Sequence, residues 1–148
     1  MIALLQRVSE AWVDVDDKRI GCIGTGLMVL IGVEEEDGAR EADRLLERLL
    51  GYRVFNDAEG RMNRSLSDTG GGLLLVPQFT LVADTSRGRR PGFSQAATPQ
   101  VARKWFEYLV VKAGTLHSPV QAGQFGAEMR VGLVNEGPVT FRLQVSAG

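Results

Sequence analysis

The chain has 148 residues, of which 44% are hydrophobic and 24% charged, and its net charge is −1. That length suits one domain, residues 1–148, with a sizeable core, and the near-neutral charge excludes a broad electrostatic grip on nucleic acid while leaving a small local contact open. One cysteine (Cys22) excludes an internal disulfide, and one histidine (His117) beside it cannot build the usual zinc shell, so neither a metal nor a cofactor is expected.

No apolar run approaches the ~18 residues of a membrane helix, and no basic stretch precedes the first apolar residues as in a secretory signal. No membrane is therefore expected as a partner, and the reducing cytoplasm is the natural setting. Residues 2–15 read as a strand ended by the charged turn Asp16-Asp17-Lys18-Arg19. Residues 21–33 are a glycine-broken approach to a nearly continuous apolar strand over 27–33. Gly24 and Gly26 do not make a dinucleotide loop: the third glycine is missing and a strand follows where a helix should start. Glu34-Glu35-Glu36 reads as a solvated approach to a helix capped by Asp37, with charges favourable near its N-terminus. That helix carries Ala42, Leu45, Leu46, Leu49 and Leu50 on one stripe and ends at Gly51.

Val54-Phe55 reads as a short strand, and residues 56–72 as a polar loop. "LLLVPQFTLV" (73–82) is strand-like but broken by Pro77, and residues 83–97 form a long basic loop. Thr98 caps a second helix with Pro99 at its first position, a stripe of Ala102, Trp105, Phe106, Leu109, Val110 and Ala113, and an end at Gly114. Two alternating strands close the chain, one over Met129, Val131 and Leu133, the other over Val139, Phe141, Leu143 and Val145. Two helices cover only part of so much sheet. The sheet must curl, double over, or bury a face against a second copy. The expected fold is α+β: a layered β/β/α sandwich with a curled, mostly antiparallel sheet and two main helices, homodimeric.

Four stretches carry candidate chemistry. Asn135-Glu136-Gly137-Pro138 reads as a hairpin turn, or as rigid carbonyls that accept hydrogen bonds from a ligand amine, with an X-Pro bond that can be cis. Pro77 interrupts its strand, so Gln78, Phe79 and Thr80 offer either an edge bulge or free amides for an oxyanion hole. Arg87, Arg89 and Arg90, near Phe93, are either a solvated loop or a grip on a few phosphates. Phe125 and Met129 either flank a flat ring or belong to the core.

Taken together these stretches resemble the D-aminoacyl-tRNA deacylase family. The similarity runs nearly end to end, through "LLQRVSEAWVDVD", "LMVLIGVEEED", "VPQFTLVADTSRGRRPGFSQAA" and "FGAEMRVGLVNEGPVT". The resemblance implies hydrolysis of the ester of D-aminoacyl-tRNA, and of glycyl-tRNA mischarged on tRNA-Ala, with L-aminoacyl-tRNA spared. It implies a homodimer in which a Gly137–cis-Pro138 gate from one subunit enters the site of the other and holds the α-amino group by main-chain carbonyls. Arg7 would brace the gate, and Phe125 and Met129 would flank the 3′-terminal adenosine. The backbone amides of Gln78, Phe79 and Thr80 would hold the oxyanion, with no side-chain nucleophile. The family usually has Ser where this chain has Pro77. Two rival readings stand beside this one: an esterase using Thr80 or Ser94 with His117, and a non-catalytic, dimeric RNA-binding module.

Overall fold

The computed structural model describes every residue, Met1–Gly148. Strand β1 (Ile2–Val15) turns through Asp16 and Asp17, both at positive φ, into β2 (Lys18–Ile23), and β3 (Gly26–Gly32) follows. Helix α1 (Ala39–Gly51) leads to a small hairpin of β4 (Phe55–Asn56) and β5 (Met62–Arg64), then to the single-turn α2 (Leu66–Thr69). Next come β6 (Gly72–Pro77), a 3₁₀ turn over Phe79–Val82, α3 (Pro99–Leu116), β7 (Val120–Ala122) and β8 (Arg130–Gln144).

Long β1 organises the main sheet. Its first half pairs with β3 and its second half with β2, both antiparallel, while β8 runs antiparallel along the opposite edge. Beyond β3 the sheet continues through β6 and β7, and those pairings are parallel. The sheet is therefore mixed, and antiparallel pairing predominates through the three partners of β1. It curls until β2 approaches β7: Gly21 leaves room for the Ala122 carbonyl, which would sit 3.2 Å from a Cβ there.

The curl creates two apolar cores. Leu74 and Val76 of β6 face inward with Val8, Ala11, Val13, Ile23 and Met28. Leu73 and Leu75 face the other way, onto α1 and α3, with Leu27, Val29, Leu45, Leu49, Phe106 and Leu109. Alternation along one strand thus serves both layers, which is why β6 reads as a continuous apolar run. The α1 stripe is buried as expected; of the α3 stripe Ala102, Phe106, Leu109 and Ala113 are buried while Trp105 and Val110 are half-buried, and the Thr98 hydroxyl caps α3 by accepting from the Val101 amide at 3.4 Å. That helix runs two residues past Gly114, to Leu116.

Asp37 does not cap α1. Gly38 holds that position, and the Glu41 carboxylate accepts its amide proton at 2.8 Å. Asp37 accepts instead from the Met1 amino group (2.8 Å) and the Glu34 amide (2.7 Å), an ammonium partner that outbids a helix amide. Glu34 accepts from the same amino group at 2.9 Å and from the Gln144 side chain, so it is not simply solvated. Burial pushes the Asp37 carboxyl up despite that ammonium. Burial also acts to raise Glu34, but hydrogen bonds from the Met1 amino group and Gln144 win and hold it below the usual carboxylate range.

The C-terminus departs most from expectation. There is no hairpin at 135–138: a single strand, β8, runs through the Gly-Pro pair. Gln6 pairs with Thr140 and Val8 with Asn135, so Glu136–Val139 bulge out opposite the single residue Arg7. Both halves of β8 find their partner in β1, and that shared partner removes the need for them to pair with each other. Pro138, which has no amide to give a ladder, sits where no ladder bond is required.

Candidate functional site

A cleft of about 690 Å³ opens where the carboxyl ends of parallel β3 and β6 meet the start of α3. Ligand sites in sheets with parallel strands favour this end. Its lining is mainly apolar and includes Ile31, Pro77, Phe79, Ala102, Phe125 and Met129. Phe125 rests beside buried Phe106, with ring centroids 6.4 Å apart. Gly123 leaves the space in which the Met129 sulfur and the Pro77 ring meet: a Cβ there would lie 2.8 Å from the one and 3.2 Å from the other. The cleft therefore brings Gln78, Phe79, Phe125 and Met129 to one wall system, and its flat apolar surfaces suit a planar ring.

Pro77 is the last residue of β6 rather than a break inside a longer strand. The Gln78 amide donates to the Ile31 carbonyl at 2.7 Å, so only two of the three expected free amides remain. Those two belong to Phe79 and Thr80, the first residues of the 3₁₀ turn, and neither has an acceptor in the chain. The Gln78 side chain donates to the Thr80 hydroxyl. Phe79 is 62% exposed at the cleft mouth and meets Phe93 at 5.4 Å between centroids.

No nucleophile–base pair is present at the cleft. His117 caps the end of α3, and its Nε2 contacts the Gly71 carbonyl at 2.6 Å. Gly71 precedes β6 and Thr80 follows it, so six strand residues, about 20 Å at ~3.3 Å each, lie between them. No cluster of side chains suited to a metal ion is formed anywhere in the chain.

The Gly137–Pro138 peptide is cis, and both residues are exposed. Gly137 adopts φ +129°, and a Cβ on it would come within 2.7 Å of Val139 and 2.9 Å of the Arg7 guanidinium. Only glycine fits there. Arg7 holds the bulge from behind: Nε donates to the Glu136 carbonyl (3.0 Å) and Nη1 to the Val54 carbonyl (2.8 Å). Asn135 clamps its two ends. Its Oδ1 accepts from the Val139 amide at 3.0 Å and its Nδ2 donates to the Thr140 hydroxyl at 2.9 Å. Sequence reasoning singled out Gly137, Pro138 and Arg7 but not the Asn135 clamp; its signal was an Asn placed four and five residues before the two groups it binds.

Neither Gly137 nor Pro138 lines the cleft of its own chain. The outer edge of β8 pairs with nothing, and Val131, Val134 and Phe141 along that strand are at least 36% exposed.

Residues 4–144 match the family model described as D-Tyr-tRNA(Tyr) deacylase. A curated relative from Thioalkalivibrio sulfidiphilus (strain HL-EbGR7), named D-aminoacyl-tRNA deacylase, is 61% identical over 98% of this chain and 97% of its own. A solved structure named c-Myc DNA Unwinding Element Binding Protein is 34% identical, covers 99% of this chain and 100% of its own, and superposes with a TM-score of 0.94. Another, a probable eukaryotic D-amino acid tRNA deacylase, shares the fold at a TM-score of 0.79 with 22% identity, over 97% of this chain and 98% of its own.

Proposed function

The chain belongs to the D-Tyr-tRNA(Tyr) deacylase family, and on that premise we propose how its backbone performs the deacylation and selects for handedness. It is a D-aminoacyl-tRNA deacylase, a hydrolase of ester bonds. The terminal adenosine lies in the apolar cleft between Phe125 and Met129, and the ester carbonyl reaches the rim at Phe79 and Thr80. Water adds to the carbonyl carbon, assisted by the vicinal ribose 2′-hydroxyl. The Phe79 and Thr80 amides hold the resulting oxyanion. The 3′ oxygen then leaves with the electron pair of the broken bond and takes up the proton given up by water. The observation that carries this reading is the pair of unpartnered amides beside a cleft without a nucleophile–base pair.

Selection for the D form is the work of the bulge. The protein is a homodimer on this reading, working in the cytoplasm, and Gly137–Pro138 of one subunit enters the cleft of the other. The main-chain carbonyls hold the α-amino group. An L side chain is then directed into the bulge backbone and clashes, whereas a D side chain points to solvent. Glycine has no side chain to reject, so glycyl-tRNA, including that mischarged on tRNA-Ala, is also cleaved. Support for a gate acting between subunits is that the bulge is exposed, rigidly backed by Arg7 and Asn135, and absent from the cleft of its own chain.

The test compares hydrolysis of D-tyrosyl-, L-tyrosyl- and glycyl-tRNA by the purified protein. The D and glycyl esters are cleaved and the L ester persists. Equal rates on both enantiomers refute the gate.

A further inference from the structure

Loop 83–97 contributes to the cleft and also extends beyond it. Two backbone hydrogen bonds between Asp84 and Gly92, at 2.7 and 3.0 Å, close its outer part into a tip over residues 85–91. Its inner part is tied to the end of β3, through Ala97 to Val33 (3.1 Å) and Glu35 to Gln95 (2.9 Å). Phe93, Ala96 and Ala97 line the cleft. The tip is thus held at the mouth, and Gly88 turns it at φ +67°.

That tip carries Arg87, Arg89 and Arg90, all exposed. Nine of the fourteen arginines in the chain donate to a carboxylate, carbonyl or amide oxygen. Five do not, and three of those five fall within this span of four positions. The only acidic side chain in residues 83–97 is Asp84, which accepts from Ser86 and is held ionised below the usual range by that hydrogen bonding. Crowding three unpartnered guanidinium groups costs self-repulsion that an anion relieves. The guanidinium fork matches the oxygens of a phosphodiester.

We propose that Arg87, Arg89 and Arg90 form a phosphate-binding rim for the phosphodiesters immediately 5′ of the nucleoside seated in the cleft. The inference rests on the deacylase reading of that cleft. A 3′-terminal nucleoside in the cleft must send its single strand out through the mouth. Arg90 lies three residues from Phe93, so its Cα is at most about 10 Å from that of a cleft-wall residue, within reach of the first phosphates. With a net charge of −1 the chain has no broad pull on nucleic acid, so a local cluster steers a strand into the cleft without gripping RNA at large.

The triple variant Arg87→Gln, Arg89→Gln, Arg90→Gln tests the proposal on two substrates, D-tyrosyl-tRNA and the D-tyrosyl ester of adenosine, which has no phosphodiester. For the tRNA, KM rises roughly 10–50-fold near 0.15 M salt at little change in kcat, and the salt slope of log kcat/KM becomes shallower by about 2, near 0.7 per lost contact on a single strand. Each single variant takes about 0.7 from that slope. The adenosine ester is cleaved equally well by both proteins. An unchanged KM and salt slope on the tRNA overturn the rim, as do equal losses on both substrates. If the unaltered protein cleaves neither ester, the deacylase reading itself fails and the rim with it.

Discussion

Two proline-bearing segments, the corner at Pro77–Thr80 and the bulge at Asn135–Thr140, put backbone atoms where a chemist would look for side chains. They differ in how they are completed. The corner is finished within its own chain: the Gln78 amide is tied to Ile31, and the turn that follows frees the Phe79 and Thr80 amides beside the cleft. The bulge is finished only on its inner side, by Arg7 and Asn135, and its outer atoms face no neighbour in the chain. The corner hides its anchoring in the sheet ladder. The bulge opens the ladder and relies on dedicated side-chain anchors, which is what the proposed role in a second subunit's cleft would require.

The largest expected effect separates amide from side chain at the corner. Replacing Phe79 with its α-hydroxy acid, which converts its amide to an ester, removes one of the two proposed oxyanion donors and is expected to lower kcat by about 10²–10³. Thr80→Val keeps both amides and stays close to the unaltered rate, measured as single-turnover hydrolysis of D-tyrosyl-tRNA. A dead Thr80→Val protein with normal folding makes the hydroxyl, not the amides, the working group.

The next effect tests whether the bulge serves a second chain. Gly137→Ala forces a side chain into φ +129° and onto Val139 and Arg7, at a cost of about 1–3 kcal/mol for the strained backbone. On the proposed reading the bulge carbonyls then lose their hold on the α-amino group, so hydrolysis of D-tyrosyl-tRNA and selection against L-tyrosyl-tRNA are both lost. Mixing this variant with the Phe79 ester variant gives hybrid dimers in which one intact cleft faces one intact bulge. Random exchange restores about a quarter of full activity if the gate acts between subunits and nothing if it acts within one. Failure to complement, with exchange shown by mass spectrometry, places the bulge on its own chain's cleft.

What the sequence made legible follows the range of the interactions. Thr98-Pro99 announced α3 and the leucine stripe announced α1, because caps and helical period are local. Asp37 was misread because its partner, the Met1 amino group, is 36 positions away, and no spacing rule sees it. The Gln78 amide was misjudged for the same reason: only the parallel pairing of β6 with β3 reveals Ile31 as its acceptor. Alternation on both sides of Gly137 turned Leu143 inward correctly, but Val131 and Phe141 are exposed, and it could not report partners, so one bulged strand looked like two. Strand β7, three half-buried residues, carried no pattern at all. The aromatic and sulfur side chains of the cleft, Phe125 and Met129, could be suspected from the sequence, but the approach of Met129 and Pro77 to one another over Gly123 is a product of the fold.

The smallest effect sharpens the contrast in anchoring. Asn135→Ala removes both clamps on the bulge, the acceptor for the Val139 amide and the donor to the Thr140 hydroxyl. Asn135 is half-buried, and water replaces part of each bond, so the loss is about 1 kcal/mol. That is about 2–4 °C in Tm for a chain of this size. Asn135→Asp keeps the acceptor and loses the donor, and it falls between the two proteins in Tm. Handedness is the more telling readout. Arg7 still fixes Glu136 from behind, but the Val139 end of the bulge is released, so the D/L ratio of kcat/KM falls while hydrolysis of the achiral glycyl ester holds. A drop in Tm with an unchanged D/L ratio makes Asn135 a stabiliser of β8 alone and leaves Arg7 as the sole positioning residue of the bulge.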